Sequence, residues 1–197
     1  LMKYRSILKT LPALALVTAL LGTPASAGQA VMDFDSQPGG SLQSPFTEDG
    51  LKAECLYSDN SHTSWQIITA GQGNTGHKAI KTNNSGSTTN RITAVSGRPF
   101  TMVSLRLSPF VLQANITFTG RKANAATVTQ VFSTGTDLAG TVRTFSSDFQ
   151  DIVSFEWNAT TASSTACSVD DITVHLPSRI LVTPAVTSCV RKAAARG

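Results

Sequence analysis

Cys167-Ser-Val-Asp-Asp-Ile-Thr-Val-His-Leu176 is a short apolar alternation with two adjacent carboxylates near its start. A two-residue period of this kind marks a strand with one face against a core. Asp170 shares the parity of Ile172, Val174 and Leu176, which in a regular strand is the inward parity. An inward carboxylate is costly unless a cation or several hydrogen-bond donors meet it. The stretch therefore reads as a closing strand that carries a group needing a partner.

Upstream, the chain repeats the same kind of element. Leu51, Ala53, Cys55 and Tyr57 share one parity, with Lys52, Glu54 and Leu56 on the other. Ile116 and Phe118 share a face, and further apolar segments lie at 30–35, 65–68, 78–81, 92–95, 100–107, 127–132, 142–145 and 152–157. Turn clusters separate them: Gln37-Pro-Gly-Gly40, Glu48-Asp-Gly50, Asn83-Asn-Ser-Gly-Ser87 and Gly120-Arg-Lys-Ala-Asn124. No stretch after residue 30 sustains a helical period. Roughly eight to ten short strands with polar turns predict an all-β chain, an antiparallel β-sandwich of jelly-roll type.

The two ends read differently. Residues 1–27 combine a basic start (Lys3, Arg5, Lys9), an apolar run from Leu11 to Leu21 and the small-residue site Ala25-Ser-Ala27. That is the three-part pattern of a signal-peptide helix, and the run is shorter than the roughly 20 residues that span a bilayer. Residues 28–176 are expected to form one sandwich domain and 177–197 a loosely ordered tail. The protein is thus expected to be secreted, periplasmic or at the cell surface, with no membrane span after signal cleavage.

The chain carries sixteen Lys and Arg against twelve Asp and Glu, a formal charge of +4. Seven of the basic residues fall in the signal and tail segments, and none of the acidic ones does. Residues 28–178 are left with nine basic and twelve acidic side chains, a net charge of −3. No basic patch is available to neutralise phosphates, which excludes a nucleic-acid partner.

Met32-Asp-Phe-Asp35 followed by Gln37-Pro-Gly-Gly40, together with Ser168-Val-Asp-Asp-Ile-Thr-Val174, resembles the opening and closing strands of bacterial galactose-binding-like jelly rolls. This is the fold of many non-catalytic carbohydrate-binding modules. The chain is also similar to exported bacterial proteins with a C-terminal Pro-Glu-Pro sorting anchor. It departs from them because Pro184 lacks that motif and no long apolar run follows it. In the resembled modules a structural calcium ties the terminal strands together. Carried onto this chain, the matching positions are Asp35 and Asp170, with Asp33 and Asp171 as second choices. Hard carboxylate oxygens suit Ca2+, while the plainer alternative is that Asp170 and Asp171 simply start a strand.

For a ligand, Tyr57, His62, Trp65 and Gln66 form the candidate set. An exposed aromatic face stacks on a sugar ring while polar neighbours take its hydroxyls; Trp65 could equally be core. Cys55 and Cys167 flank the domain and could pair in an exported protein, or stay as two buried thiols. The three histidines lack zinc spacing, and no G-x-S-x-G elbow is present. The reading is a secreted, non-catalytic sandwich that binds carbohydrate or an envelope or matrix polymer. The alternatives are an exported polysaccharide hydrolase or lyase, for which Asp35 and Asp170 would be the carboxylate pair, and a purely structural or adhesive surface protein.

Overall fold

The computed structural model describes residues 28–68, 78–82, 88–109, 113–158 and 167–177. The expected signal segment, the tail beyond residue 177, His77 and Cys189 lie outside them.

Alternation in the sequence becomes alternation in burial. The strands are β1 (Gly28–Met32), β2 (Gly40–Leu42), β3 (Phe46–Glu48), β4 (Leu51–Leu56), β5 (Trp65–Ile68), β6 (Ala79–Lys81), β7 (Thr89–Ala94), β8 (Thr101–Pro109), β9 (Asn115–Lys122), β10 (Thr127–Ser133), β11 (Thr141–Thr144), β12 (Ile152–Trp157) and β13 (Cys167–Leu176). One 3-10 turn, Ser147–Phe149, precedes β12. β2 and β3 are too short for a two-residue period to declare itself, and they lie between the turn clusters at Gln37–Gly40 and Glu48–Gly50.

Two antiparallel sheets make the sandwich. The seven-stranded sheet runs β11-β8-β13-β6-β5-β2, with β1 also on β13; the six-stranded sheet runs β10-β9-β12-β7-β4-β3. The chain crosses from sheet to sheet while β8 pairs with β13 and β9 with β12. This nesting is the wrapped connectivity of a jelly roll. β13 is the hub. One of its edges pairs with β8. The other is divided between β6, at Ser168 and Val169, and β1, at Ile172 to Leu176.

The changeover carries a bulge. The register on β8 shifts between Asp170 and Thr173, where β13 has the extra residue, and shifts back between Thr173 and Val174, where β8 has it; Asp171 has a positive φ of 48°. One extra residue reverses the alternation. Cys167 and Val169 before it, and Ile172 and Val174 after it, all belong to the core. The parity that groups Asp170 with Ile172 and Val174 is therefore broken.

Side chains from both inner faces fill the space between the sheets. At one end Phe118 stacks on Phe155, with centroids 5.5 Å apart and planes 10° from parallel, and Phe132, Phe145, Phe149 and Trp157 pack around them. Aromatic contacts in such arrangements add to the gain from buried area. Cys55 on β4 and Cys167 on β13 lie in this core as free thiols. The expected disulfide is not formed: both are free thiols, Cys55 on β4 of one sheet and Cys167 on β13 of the other, where Thr82 Oγ1 lies 3.4 Å from the Cys167 Sγ.

Gly120 is where the core leaves no room. A Cβ there would sit 2.9 Å from both Ile152 Cγ2 and Val128 Cγ1, and 3.0 Å from Phe149 Cδ1. Gly120→Ala is expected to destabilise the domain by about 1–3 kcal/mol through overpacking. Urea unfolding of the variant against the parent measures this.

Candidate functional site

Tyr57, His62, Trp65 and Gln66 do not come together as a platform. Trp65 is 2% exposed. Its ring lies in the core, where Nε1 donates to Asn90 Oδ1 at 2.8 Å, and Asn90 Nδ2 donates to the Trp157 carbonyl at 3.2 Å. Asn90 thus satisfies a tryptophan from the facing sheet inside an apolar core, which leaves no Trp65 face for a sugar. Gln66 is exposed on β5 and lines a cavity of about 450 Å³ with Gly40, Ser41, Ser64, Trp65, Lys81 and Thr82.

Tyr57 and His62 belong to the other sheet. Tyr57 is exposed at the end of β4. The following turn closes on itself, with Asp59 Oδ1 accepting from Ser61 N and Oγ at 2.9 and 2.6 Å. Those bonds hold the Asp59 carboxyl below its ordinary pKa. The turn returns His62 alongside Leu56, where its Nε2 lies 3.3 Å from Glu54 Oε1.

Glu54 opens a charged row across the outer face of the six-stranded sheet. The inward residues of these strands are Ala53 and Cys55, Asn90 and Ile92, Phe118, Phe155 and Trp157, all buried. The alternate positions therefore face outward. Cross-strand register sets Glu54 opposite Arg91, Arg91 opposite Glu156, Glu156 opposite Thr119 and Thr119 opposite Thr129. Arg91 Nε donates to Glu156 Oε1 at 3.0 Å and Arg121 Nε to Oε2 at 2.8 Å. Ser154 Oγ adds a bond at 3.2 Å, and Lys52 Nζ pairs with Glu54 Oε1 at 3.0 Å. A cleft of about 250 Å³, lined by Thr89, Thr117, Thr119, Arg121, Glu156, Trp157 and Asn158, opens on this row.

The electrostatics follow from burial. Burial works to raise the Glu54 carboxyl, but hydrogen bonds from Lys52 and His62 and the charges of Lys52 and Arg91 outweigh it, so the pKa lies below the ordinary 4.5. Glycoside cleavage needs a carboxyl that keeps its proton to donate to the leaving group. Glu54 is held ionised instead, and Glu156 is clamped between two guanidinium groups. Among the described residues the larger cavity on the opposite sheet carries a single ionisable side chain, Lys81, and the denser cluster of charges marks the six-stranded sheet as the candidate site.

The carboxylates expected to hold calcium are occupied by other partners. Asp35 Oδ1 accepts the Lys78 amide at 2.8 Å, and the Lys78 ammonium takes the carbonyl oxygens of Asp35 and Gln37. Asp33 Oδ1 accepts the Asp35 amide at 3.0 Å. Arg106 Nε donates to Asp171 Oδ2 at 2.9 Å, and Asp170 Oδ1 accepts the Asp171 amide at 2.8 Å. Among the described residues, no three His, Cys, Asp or Glu side chains gather to hold a metal. Backbone amides occupy Asp35 and Asp170, and Arg106 neutralises Asp171, so these donors do not gather as a calcium cage.

No protein-family profile and no curated protein matches the chain. Among solved structures, a family 11 carbohydrate-binding module from Clostridium thermocellum, in complex with a β-1,3-1,4-mixed-linked tetrasaccharide, is similar at TM-score 0.38 and 14% identity over 77% of this chain and 98% of that one. The family 11 module of the cellulosomal cellulase Lic26A-Cel5E of the same organism is similar at TM-score 0.35 and 11% identity, over 78% and 97%. Neither likeness carries the reading of the site.

Sequence reasoning missed Glu54, Arg91, Arg121 and Glu156. Each occupies a polar position of a strand whose other parity is core, which was a visible signal. Their convergence was not visible, since 65 residues separate Arg91 from Glu156.

Three outcomes follow. Glu54 has a depressed folded pKa, so its stabilisation is full above the unfolded value of 4.5 and is lost as pH falls through the folded one. Glu54→Gln is expected to flatten that acid limb in stability measured against pH. Burial pushes the Cys55 and Cys167 thiols up to about 11, and the thiolate is the reactive form. Ellman's reagent should therefore label neither in the native protein at mildly alkaline pH and both after unfolding in urea. EDTA is expected to leave the melting temperature unchanged; a drop would restore the calcium expectation.

Proposed function

We propose that the protein is an exported, non-catalytic carbohydrate-binding protein, with the outer face of the six-stranded sheet as its ligand surface. The observation that supports this most is the Arg91–Glu156–Arg121 cluster beside the cleft. A nearly buried carboxylate on an outer sheet face contributes little to folding that an uncharged residue could not supply. It does hold two planar donor groups in fixed positions next to a row of hydroxyls. Preorganised donors of this kind suit the hydroxyl-rich surface of a sugar, because fewer rotamers are lost on binding. Thr89, Thr117, Thr119 and Asn158 add further donors and acceptors within the same cleft. The signal pattern of residues 1–27 supports export, to the cell surface, the periplasm or the medium, where polysaccharide is met. Partners are then a glycan or envelope polymer.

A glycan array probed with the parent, Arg121→Ala and Ser41→Tyr tests this reading. The parent should bind polysaccharide without releasing reducing sugar. Arg121→Ala should weaken binding by about ten-fold or more, the scale of one charge-assisted hydrogen bond. Ser41→Tyr, which fills the cavity on the opposite sheet, should leave binding unchanged. The reverse pattern would move the site to that cavity, release of reducing sugar would revive the hydrolase or lyase reading, and an array with no signal would favour a structural or adhesive role.

A further inference from the structure

The charges on the outer face of the six-stranded sheet are unequally exposed. Its carboxylates are turned in: the side chains of Glu54 and Glu156 are 11% and 9% exposed. Its cations are turned out: Lys52, Arg91 and Arg121 are 38%, 31% and 52% exposed, and His62 is 41% exposed beside them. By count the face holds three permanent cations against two carboxylates. To a ligand in solvent it is more positive than the count, because the negative groups lie beneath the positive ones. This contrasts with the net charge of −3 over residues 28–178.

The geometry of the arginines sharpens the point. Arg91 and Arg121 both reach Glu156 through Nε. The terminal amino groups of both guanidiniums make no hydrogen bond among the described residues, while Nε fixes each plane. Guanidinium groups held in this way match a carboxylate fork. The face also lacks exposed aromatic side chains on its strands: Phe118, Phe155 and Trp157 are all buried on the inward side. A neutral sugar gains much of its affinity by stacking on an aromatic plane; the exposed ring of this sheet among the described residues, Tyr57, lies past the end of β4 and not on the strands that carry the charged row.

We propose that this surface takes an acidic polysaccharide, a polymer of uronic acid units, in preference to a neutral glycan. The inference rests on the reading of this face as a carbohydrate surface and names the sugar class. Carboxylates spaced along the polymer meet Arg91, Arg121 and Lys52, and its hydroxyls meet Thr117, Thr119 and Asn158. The net negative charge of the rest of the domain disfavours other modes of approach and so orients the encounter.

Affinity electrophoresis tests this with polygalacturonate, a neutral mixed-linkage β-glucan and poly-glutamate, at low and physiological ionic strength. The expected result is retardation by polygalacturonate, about ten-fold stronger than by the neutral glucan at low salt. That preference should shrink as the screening length falls from about 30 Å at 0.01 M to about 8 Å at 0.15 M salt. Thr117→Glu places a negative charge on the exposed face without touching the buried pairs, and is expected to abolish the preference while the melting temperature holds. Arg91→Gln with Arg121→Gln should do the same, and circular dichroism shows whether that variant is folded. Equal binding of both polysaccharides overturns the acidic preference but leaves carbohydrate binding standing. Equal retardation by poly-glutamate overturns the saccharide site in favour of a general anion surface. No binding of any polymer overturns both readings.

Discussion

A strand has two edges, and β13 must serve three partners. β8 takes one edge, and the other is shared end to end by β6 and β1. The handover sits at Asp170–Asp171, where an extra residue is inserted and Asp171 takes a positive φ. Without that insertion, a side chain from one half of the strand would face solvent where the core requires it. The bulge lets Cys167 and Val169 from one half and Ile172 and Val174 from the other all point inward. It also explains the paired carboxylates. Asp171 closes on Arg106, and Asp170 accepts the amide of the residue that bulges. They stabilise a backbone irregularity that the topology demands.

Closure of the seven-stranded sheet around β13 leaves the six-stranded sheet regular. There the inward parity carries the aromatic stack, and the outward parity is free to carry charge. Glu54 and Glu156 are anchors that fix the cations above them. Buried carboxylates beneath exposed guanidiniums give a surface with a sign opposite to that of the domain as a whole. Such an arrangement can separate binding from stability: the anchors hold the face together, and under the proposed function the exposed ends of the cations are left to meet the ligand.

The same division appears among the three glutamates of the chain. Glu54 and Glu156 organise the charged outer face of the six-stranded sheet. Glu48 accepts the amides of Asp33 and Phe34, both at 3.1 Å, where the chain leaves β1 with Phe34 at a φ of 58°. All three carboxylates accept from several donors, which is the general condition for burying a carboxylate.

Much of the fold was legible in the residues alone. The alternation in 51–56, 115–122, 127–133 and 152–157 has the period of a strand against a core, and turn residues punctuate it. The class and the sandwich followed from that, while the neighbouring of first and last strands came from the resemblance to jelly rolls. What the sequence could not determine was phase and convergence. A bulge costs one residue and leaves no mark in composition, so the change of phase at Asp170–Asp171 was not visible, although Asp170 is buried as its parity suggested; the amide of Lys78 on Asp35 and Arg106 on Asp171 were not visible either. Trp65 looked like a platform because aromatic type alone does not say whether a ring faces sugar or core; its bond to Asn90, 25 residues away, decides for the core. Arg91, Arg121 and Glu156 lie on separate strands, and only β-sheet register, set by long-range pairing and the packing of the inner face, brings them together into one site.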